Sequence, residues 1–276
     1  MHSAHSRVGL ALSSIKGAHG RFEDRKGLTI LGWHRISDLR DGLSVTRSEF
    51  EAQLDLLVEA GACVLPLREA VAKLHDDDLP PRAVALTLDD GYASAGTDAW
   101  PMLVERGMPA TLFVVPGYLV GDRYFPWDEP GPVARVMTAS EVADLHAEGL
   151  DIQSHSYEHR WLPTGPDEEL LTDLVRSREA IENLLGSAVT GLAYPAGGWD
   201  ARVRRLAGAA GYGYAVTVDR GINRPGRVSS LSLRRSIAPD TADEMAILLD
   251  GGYDHLRPLD TLRRRSTSAS LPLAGW

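Results

Sequence analysis

Two adjacent carboxylates, Asp89 and Asp90, follow the apolar run LTL and precede Gly91. Charges placed at the end of a buried strand are costly unless something compensates them. A second stretch, SHSYEH at 154–159, sets His155 and His159 four residues apart. Two imidazoles and one carboxylate, here Asp90 from a different strand, are a common facial set for a catalytic divalent metal with positions left open for water. A bound cation also stabilises the carboxylate beside it. The second carboxylate then has a separate use, as a general base for a water attacking a carbonyl. Neighbouring side chains diverge at a strand-to-loop corner, so one of the pair can face the metal and the other the water. Gly91 permits the sharp turn. A lone His-x-x-x-His or a lone Asp-Asp-Gly is weak evidence, but both at the carboxyl ends of strands make a candidate site.

The elements that must position these residues alternate along the chain. Strands are predicted at 28–33, 63–66, 83–90, 110–115, 151–156, 189–195, 214–218 and 231–235. Helical periodicity fills the intervals. Thr46 with Glu49, and Thr138 with Glu141, carry capping-box signatures. Phe50, Leu54 and Leu57 fall on one face of the first helix, and Gly186 closes the longest one, PDEELLTDLVRSREAIENLLG. A strand-then-helix rhythm means a parallel sheet, and about eight strands favour a closed barrel. In such folds the site lies at the carboxyl ends of the strands. His34, the Asp89–Asp90 pair, His155, Tyr194 and the Arg234–Arg235 pair all stand at such ends.

The chain has 276 residues and a net charge of −9, with 43% hydrophobic and 24% charged residues. These are globular proportions, enough for one large domain. The acidic balance argues against a nucleic-acid surface or a strongly anionic substrate and suits a neutral or cationic small one. A lone cysteine, Cys63, excludes an internal disulfide and reads as a small buried hydrophobe. The acidic run at 76–78 reads as a solvated loop. Residues 1–26 read as a flexible lead, 27–264 as a single catalytic domain and 265–276 as a tail. The apolar piece VGLAL at 8–12 is too short for a signal-peptide core, and no other run could span a bilayer. The expected location is therefore the cytoplasm.

LTLDDG resembles the Thr-Phe-Asp-Asp-Gly motif of the polysaccharide deacetylases, carbohydrate esterase family four, and SHSYEH resembles that family's His-Ser/Thr-x-x-His motif. The resemblance runs from about residue 28 to about residue 240. It implies a distorted (β/α) barrel of seven strands, one fewer than the count above. It implies hydrolysis of an N-acetyl group, most often on a 2-acetamido sugar, with Asp89 as general base and zinc held by Asp90, His155 and His159. LAYPAGG at 192–198 departs from the family's Arg-x-Pro-Tyr motif, with Ala193 in the arginine's place. By the resemblance the Ala196 backbone N–H serves as oxyanion donor, a role that does not require a particular side chain. Arg235, ahead of Arg234, is the candidate to replace the missing arginine.

The family's closing Leu-x-Leu-His is LSLRR here and has no histidine. GWHRI at 32–36 instead resembles the Tyr-His-Arg-Ile segment of the circularly rearranged poly-N-acetylglucosamine deacetylases, which makes His34 the implied general acid. Tyr92, Trp127, Tyr194 and Trp199 are the residues assigned to substrate. Tyr118, Tyr124, Phe125 and Trp161 fall in or near predicted loops on the same side and could stack on sugar faces. Those relatives are exported or membrane-anchored, so the absence of a recognised signal points to an intracellular N-acylated amino sugar or small conjugate. Three other readings compete. Hydrolysis of another amide, or of a cyclic imide or ureide, would use the same core residues. A non-catalytic sugar-binding relative would lack a metal ligand or the base. A glycosidase would need two carboxylates flanking the bond and would leave the histidines unexplained.

Overall fold

Apolar runs buried on both faces are the mark of parallel strands covered by helices, and the AVALTL run, buried at all six positions, is the clearest of them. The computed structural model describes Phe22 and residues 26–39, 41–121, 123–256 and 258–259. Apart from Phe22 and Lys26, the expected lead lies outside the described residues, as does the tail from 265. Phe22 is buried, and its N–H donates to Asp250 Oδ1.

The strands are β1 (Thr29–Trp33), β2 (Arg35–Ile36), β3 (Ser44–Val45), β4 (Cys63–Val64), β5 (Ala83–Leu88), β6 (Ala110–Val114), β7 (Asp151–Ser154), β8 (Gly191–Ala193), β9 (Tyr214–Val216) and β10 (Ser236–Ile237). The helices are α1 (Arg47–Glu59), α2 (Leu67–His75), α3 (Trp100–Glu105), α4 (Ala139–Ala147), α5 (Asp167–Leu185), α6 (Ala201–Ala209) and α7 (Ala242–Leu249). Seven strands follow one another in the order β10-β1-β5-β6-β7-β8-β9, and β4 pairs separately with the start of β5. Every pairing in this sheet is parallel. Leu233 bridges Val216 of β9, and Ser236 pairs with Leu31 of β1, so residues 233–237 join the two ends of the ladder. The ring therefore has seven strands, and the eighth run counted in the sequence is the appended β4.

The last strand is displaced from its predicted place. Residues 230–232 form a 3-10 turn, and pairing begins only at Leu233. Ser229 accepts from the Leu231 N–H, a local side-chain bond of the kind that competes with a strand ladder. β2 and β3 form a small separate parallel pair that the sequence pattern did not mark. Cys63 is only half-buried. The run at 76–78 is exposed, as expected of a solvated loop.

Both predicted caps hold the Thr side of the box, and they differ on the other. Thr138 and Glu141 complete a reciprocal box at α4. Thr46 accepts from Glu49 N–H at α1, but the Glu49 carboxylate turns away to the Ala242 N–H at the start of α7. It thereby ties the first turn of one helix to the first turn of another.

Side chains alternate across each strand, and this sorts the core. Leu31, Trp33, Val84, Leu86, Leu112 and Ile152 face the helices, whereas Ile30, Ala85, Phe113, Ala193 and Val216 face inward with Leu67 and Leu74 of α2. The inward positions carry on into the site. On β5 they run 83, 85, 87 and then Asp89; on β1 they run 30, 32 and then His34; on β7 they run 151, 153 and then His155. Among the described residues no helix is long and apolar enough to cross a membrane.

Candidate metal centre

Asp89 and Asp90 are neighbours that point to different tasks. Asp89 continues the inward face of β5, and its N–H donates to Trp33 O in register with β1. Asp90 leaves the strand with φ 72, followed by Gly91 at φ 80. Positive φ at a non-glycine residue is uncommon, and here it swings the second carboxylate toward the loop after β7. Both carboxylates are buried.

Asp90 Oδ1 lies 3.4 Å from His155 Nε2 and 3.4 Å from His159 Nε2. One ligand atom from each of the three residues falls within 4.8 Å of the other two. His155 Nδ1–H donates to Ala193 O at 2.8 Å. That bond fixes the tautomer and turns the Nε2 lone pair to the centre, as metal-ligating histidines require. Asp90 Oδ1 is buried and has no hydrogen-bond partner. An orphaned buried oxygen between two imidazole nitrogens is the donor arrangement a divalent cation fits.

Asp89 is held by a different cation. Arg235 donates Nη1 to Asp89 Oδ1 and Nη2 to Oδ2, each at 2.6 Å, a bidentate fork. Arg235 is wholly buried, and its remaining donors reach Thr87 Oγ1 and Thr217 O. Gly32 makes room, since a Cβ there would meet Arg235 Cδ at 3.3 Å. Burial pushes the Asp89 pKa up, but Arg235 and His155 outweigh it and hold the carboxyl below its ordinary value. Burial also pushes Asp90 up, and the two imidazoles more than offset it, leaving Asp90 well below the usual range. Arg235 neutralises Asp89, whereas the charge on Asp90 is met only by imidazoles, so the centre carries negative charge for a cation to neutralise.

His34 closes the group. Its Nε2 is 3.9 Å from Asp89 Oδ2, and it lines the same open cleft as Asp89, Asp90, His159 and Ala196. Burial is the main influence on the ring and lowers its pKa, against the pull of the two carboxylates. Ala196 sits at φ 51 in the turn after β8.

The residues assigned to substrate divide. Tyr194 lines the cleft, but its hydroxyl is taken by Leu231 O at 2.8 Å. Tyr92 is fully buried and donates its hydroxyl to Asp128 at 2.7 Å. Trp127 packs on His159 with ring centroids 4.9 Å apart, stacks on Phe125 and donates to Tyr92 Oη. Trp199 stacks at 6.4 Å on Tyr194. Phe125 and Tyr118 are buried in one stack, Trp161 packs against Gly198, and Tyr124 is half-buried. Arg234 points its Nη1 to Ile222 O, and Arg235 is the arginine that forks onto the Asp89 carboxylate.

Sequence reasoning missed the network behind this wall. Buried Arg35 pairs with Asp128 at 2.5 Å and with Asp41, and its guanidinium carbon lies 4.8 Å from the Tyr92 ring centre. Three of its members are next to, or two residues from, a site residue: Arg35 beside His34, Tyr92 after Asp90, Asp128 beside Trp127. Arg35 stood in the GWHRI stretch as a signal; nothing local marked Asp128 as its partner.

A ring of parallel strands whose carboxyl ends gather two histidines and an orphaned aspartate beside an arginine-held aspartate defines a class, the α/β barrels built to seat a divalent cation next to a fixed carboxylate. Within that class the chain belongs to the polysaccharide deacetylase family, whose family model matches residues 76–215, just over half of the chain. His34 and Arg235 lie outside that match. The chain is 29% identical over 195 residues to YxkH of Bacillus subtilis (strain 168), which bears the name of a polysaccharide deacetylase, covering 70% of this chain and 65% of that one. It is 23% identical over 163 residues to the poly-beta-1,6-N-acetyl-D-glucosamine N-deacetylase of Staphylococcus aureus (strain MRSA252), covering 56% of this chain and 54% of that one. The chain thus spans less than two thirds of the length of either relative. Among solved structures, IcaB from Ammonifex degensii superposes with a TM-score of 0.71 at 26% identity, over 81% of this chain and 97% of that one. The Streptococcus pyogenes deacetylase PplD shares the fold, with a TM-score of 0.70 at 23% identity over 81% of this chain and 98% of that one.

Proposed function

We propose that the chain is a metal-dependent hydrolase that removes the N-acetyl group from an amino sugar or an amino-sugar conjugate. The observation that carries this reading is the orphaned Asp90 Oδ1 between His155 and His159, set beside an aspartate that Arg235 holds in a bidentate fork. Family membership and the N-deacetylase name of the staphylococcal relative support the substrate class. Asp90, His155 and His159 would hold the cation, and zinc suits two imidazoles and a carboxylate. Bound there, it would supply a Lewis acid to polarise the acyl oxygen and lower the pKa of water.

The chain's own residues supply the rest. Asp89, ionised across neutral pH because Arg235 outweighs its burial, takes a proton from water as the C–O bond forms. Arg235 fixes both carboxylate oxygens, so the base cannot rotate away from its target. The Ala196 N–H is the candidate donor to the oxygen that gains charge. The C–N bond breaks when the nitrogen receives a proton, because an amine anion is a poor leaving group. In this reading His34 gives it. Burial lowers its pKa and favours the neutral ring, so it must take up a proton before it can give one. The proton on Asp89 lies a short path away, across the 3.9 Å that separates the two groups. The products are acetate and the free amine.

The test is acetate release from a panel of N-acetylated monosaccharides, β-1,6-linked oligomers and small amide conjugates, with the zinc-loaded chain. Release from at least one N-acetyl amino sugar is expected. Turnover confined to cyclic imides or other amides would replace the substrate reading and keep the metal centre.

A further inference from the structure

The two histidines of the centre stand on a loop that is costly to hold. Ser156 has φ 62 and His159 has φ 52, and the left-handed region costs a non-glycine residue roughly 1–2 kcal/mol. Inside the loop, His159 N–H donates to Ser156 Oγ at 3.0 Å. That bond shapes the turn but does not anchor it to the barrel.

The loop is tied down from two sides: from the turn after β6 the Gly117 N–H donates to Tyr157 O at 3.0 Å and Arg123 pairs with Glu158, and one face of α5 takes the loop's N–H groups. Asp173, Arg176 and Ser177 stand at i, i+3 and i+4, which places them side by side on a helix. Asp173 Oδ2 accepts the Tyr157 N–H at 3.0 Å, and its Oδ1 accepts the Glu158 N–H at 3.2 Å. Arg176 lies 3.7 Å over the Tyr157 ring and donates to its hydroxyl. Ser177 Oγ bonds Ser154 Oγ at 2.8 Å at the end of β7, and Ser154 Oγ also accepts the Ser156 N–H. Tyr157 and Glu158 are residues that separate His155 from His159. One carboxylate, one oxygen for each N–H, therefore sets where the loop turns back toward Asp90. An asparagine would offer a single acceptor and would bring an NH2 group against the second N–H.

We propose that Asp173 is a positioning residue of the metal centre. By accepting the Tyr157 and Glu158 N–H groups it holds His159 within reach of Asp90 and His155, and so sets the affinity for the divalent cation. This rests on the reading of Asp90, His155 and His159 as ligands. Groups that orient ligands commonly change metal affinity about 10–100-fold when removed.

The experiment uses the full chain, stripped with a chelator, as wild type, Asp173→Asn, Asp173→Ser and His159→Ala. Zinc affinity is read by competition with a chromophoric chelator, the ligand geometry by the visible spectrum of the cobalt(II) form, and folding by the melting of the metal-free protein. Asp173→Asn is expected to weaken zinc binding by about 10–100-fold and to alter the cobalt spectrum, with metal-free melting close to wild type. Asp173→Ser, which leaves space for water to take both N–H groups, answers the same question if the asparagine variant does not fold. Unchanged zinc affinity with an unchanged cobalt spectrum would overturn the proposal, as would lower melting with unchanged affinity, or failure of both variants to fold, which would make Asp173 a folding residue. If wild type binds no zinc, or His159→Ala binds it equally well, the ligand reading itself is what fails.

Discussion

Arg235→Met keeps most of the side chain's length and removes the guanidinium. Arg235 is fully buried and makes two 2.6 Å bonds to Asp89, with further bonds to Thr87 and Thr217. The substitution leaves Asp89 buried without its cation. Removing one partner of a buried pair costs about 3–5 kcal/mol, a large part of the roughly 5–15 kcal/mol that holds a typical domain together. For a chain of this size that loss lowers Tm by roughly 6–20 °C. The pH dependence carries the diagnostic sign. In the wild type burial raises the Asp89 pKa but Arg235 outweighs it, so the folded value is depressed. The pair's contribution is therefore fully present above the unfolded carboxylate value of about 3.9 and is lost as pH falls through the lower folded value. Without Arg235, burial acts against weaker opposition, and the folded carboxyl titrates above its unfolded value. Protonation then removes the unpaired charge, so the deficit against wild type is full near pH 7 and shrinks toward about pH 4. Urea unfolding of chelator-treated wild type and variant at the two pH values measures it. A variant as stable as wild type, or one whose deficit does not change with pH, would refute the claim that Arg235 is what keeps Asp89 ionised.

Asp89→Asn is expected to retain the metal and lose at least about two orders of magnitude in turnover; near-normal acetate release from a metal-replete variant would remove Asp89 as the base. His34→Ala should slow hydrolysis of an ordinary amide far more than that of an ester or activated amide, whose leaving group needs no proton; equal losses would assign His34 to binding or packing. Ala196→Gly keeps the backbone N–H and relieves a positive φ, so it should raise stability by roughly 1 kcal/mol with activity retained. A large loss of turnover in that variant would mean that the alanine methyl, not the N–H, is what the cleft uses.

The centre was legible because its residues sit where strand periodicity ends. The inward alternation of β1, β5 and β7 leads without a break into His34, Asp89 and His155, and that alternation is a local property of the chain. Asp90 was harder to place from pattern alone, since its swing depends on a left-handed φ that only the finished turn imposes. What the sequence hid was long-range. Arg35 meets Asp128 across 93 residues, and the same carboxylate takes the Tyr92 hydroxyl behind the cleft wall. Glu49 had the spacing of a capping box, but an N–H 193 residues away competed for it. The last strand was misplaced by a few residues because LSL has strand composition, whereas the Ser229 hydroxyl captures Leu231 in a turn. At Glu49 a local preference was overruled by a partner that the fold brought in, whereas the last strand yielded to a competing bond within its own segment.

The most direct measurement is the metal content of purified wild type, His155→Ala and His159→Ala, each shown to be folded, after loading with zinc and removal of loosely bound ion. The account predicts one tightly bound ion per wild-type chain and loss of that ion in both variants, since each takes away one of the nitrogens that lie 3.4 Å from Asp90 Oδ1. Variants that keep the wild-type content would contradict it and would place the cation, and the chemistry built around it, elsewhere.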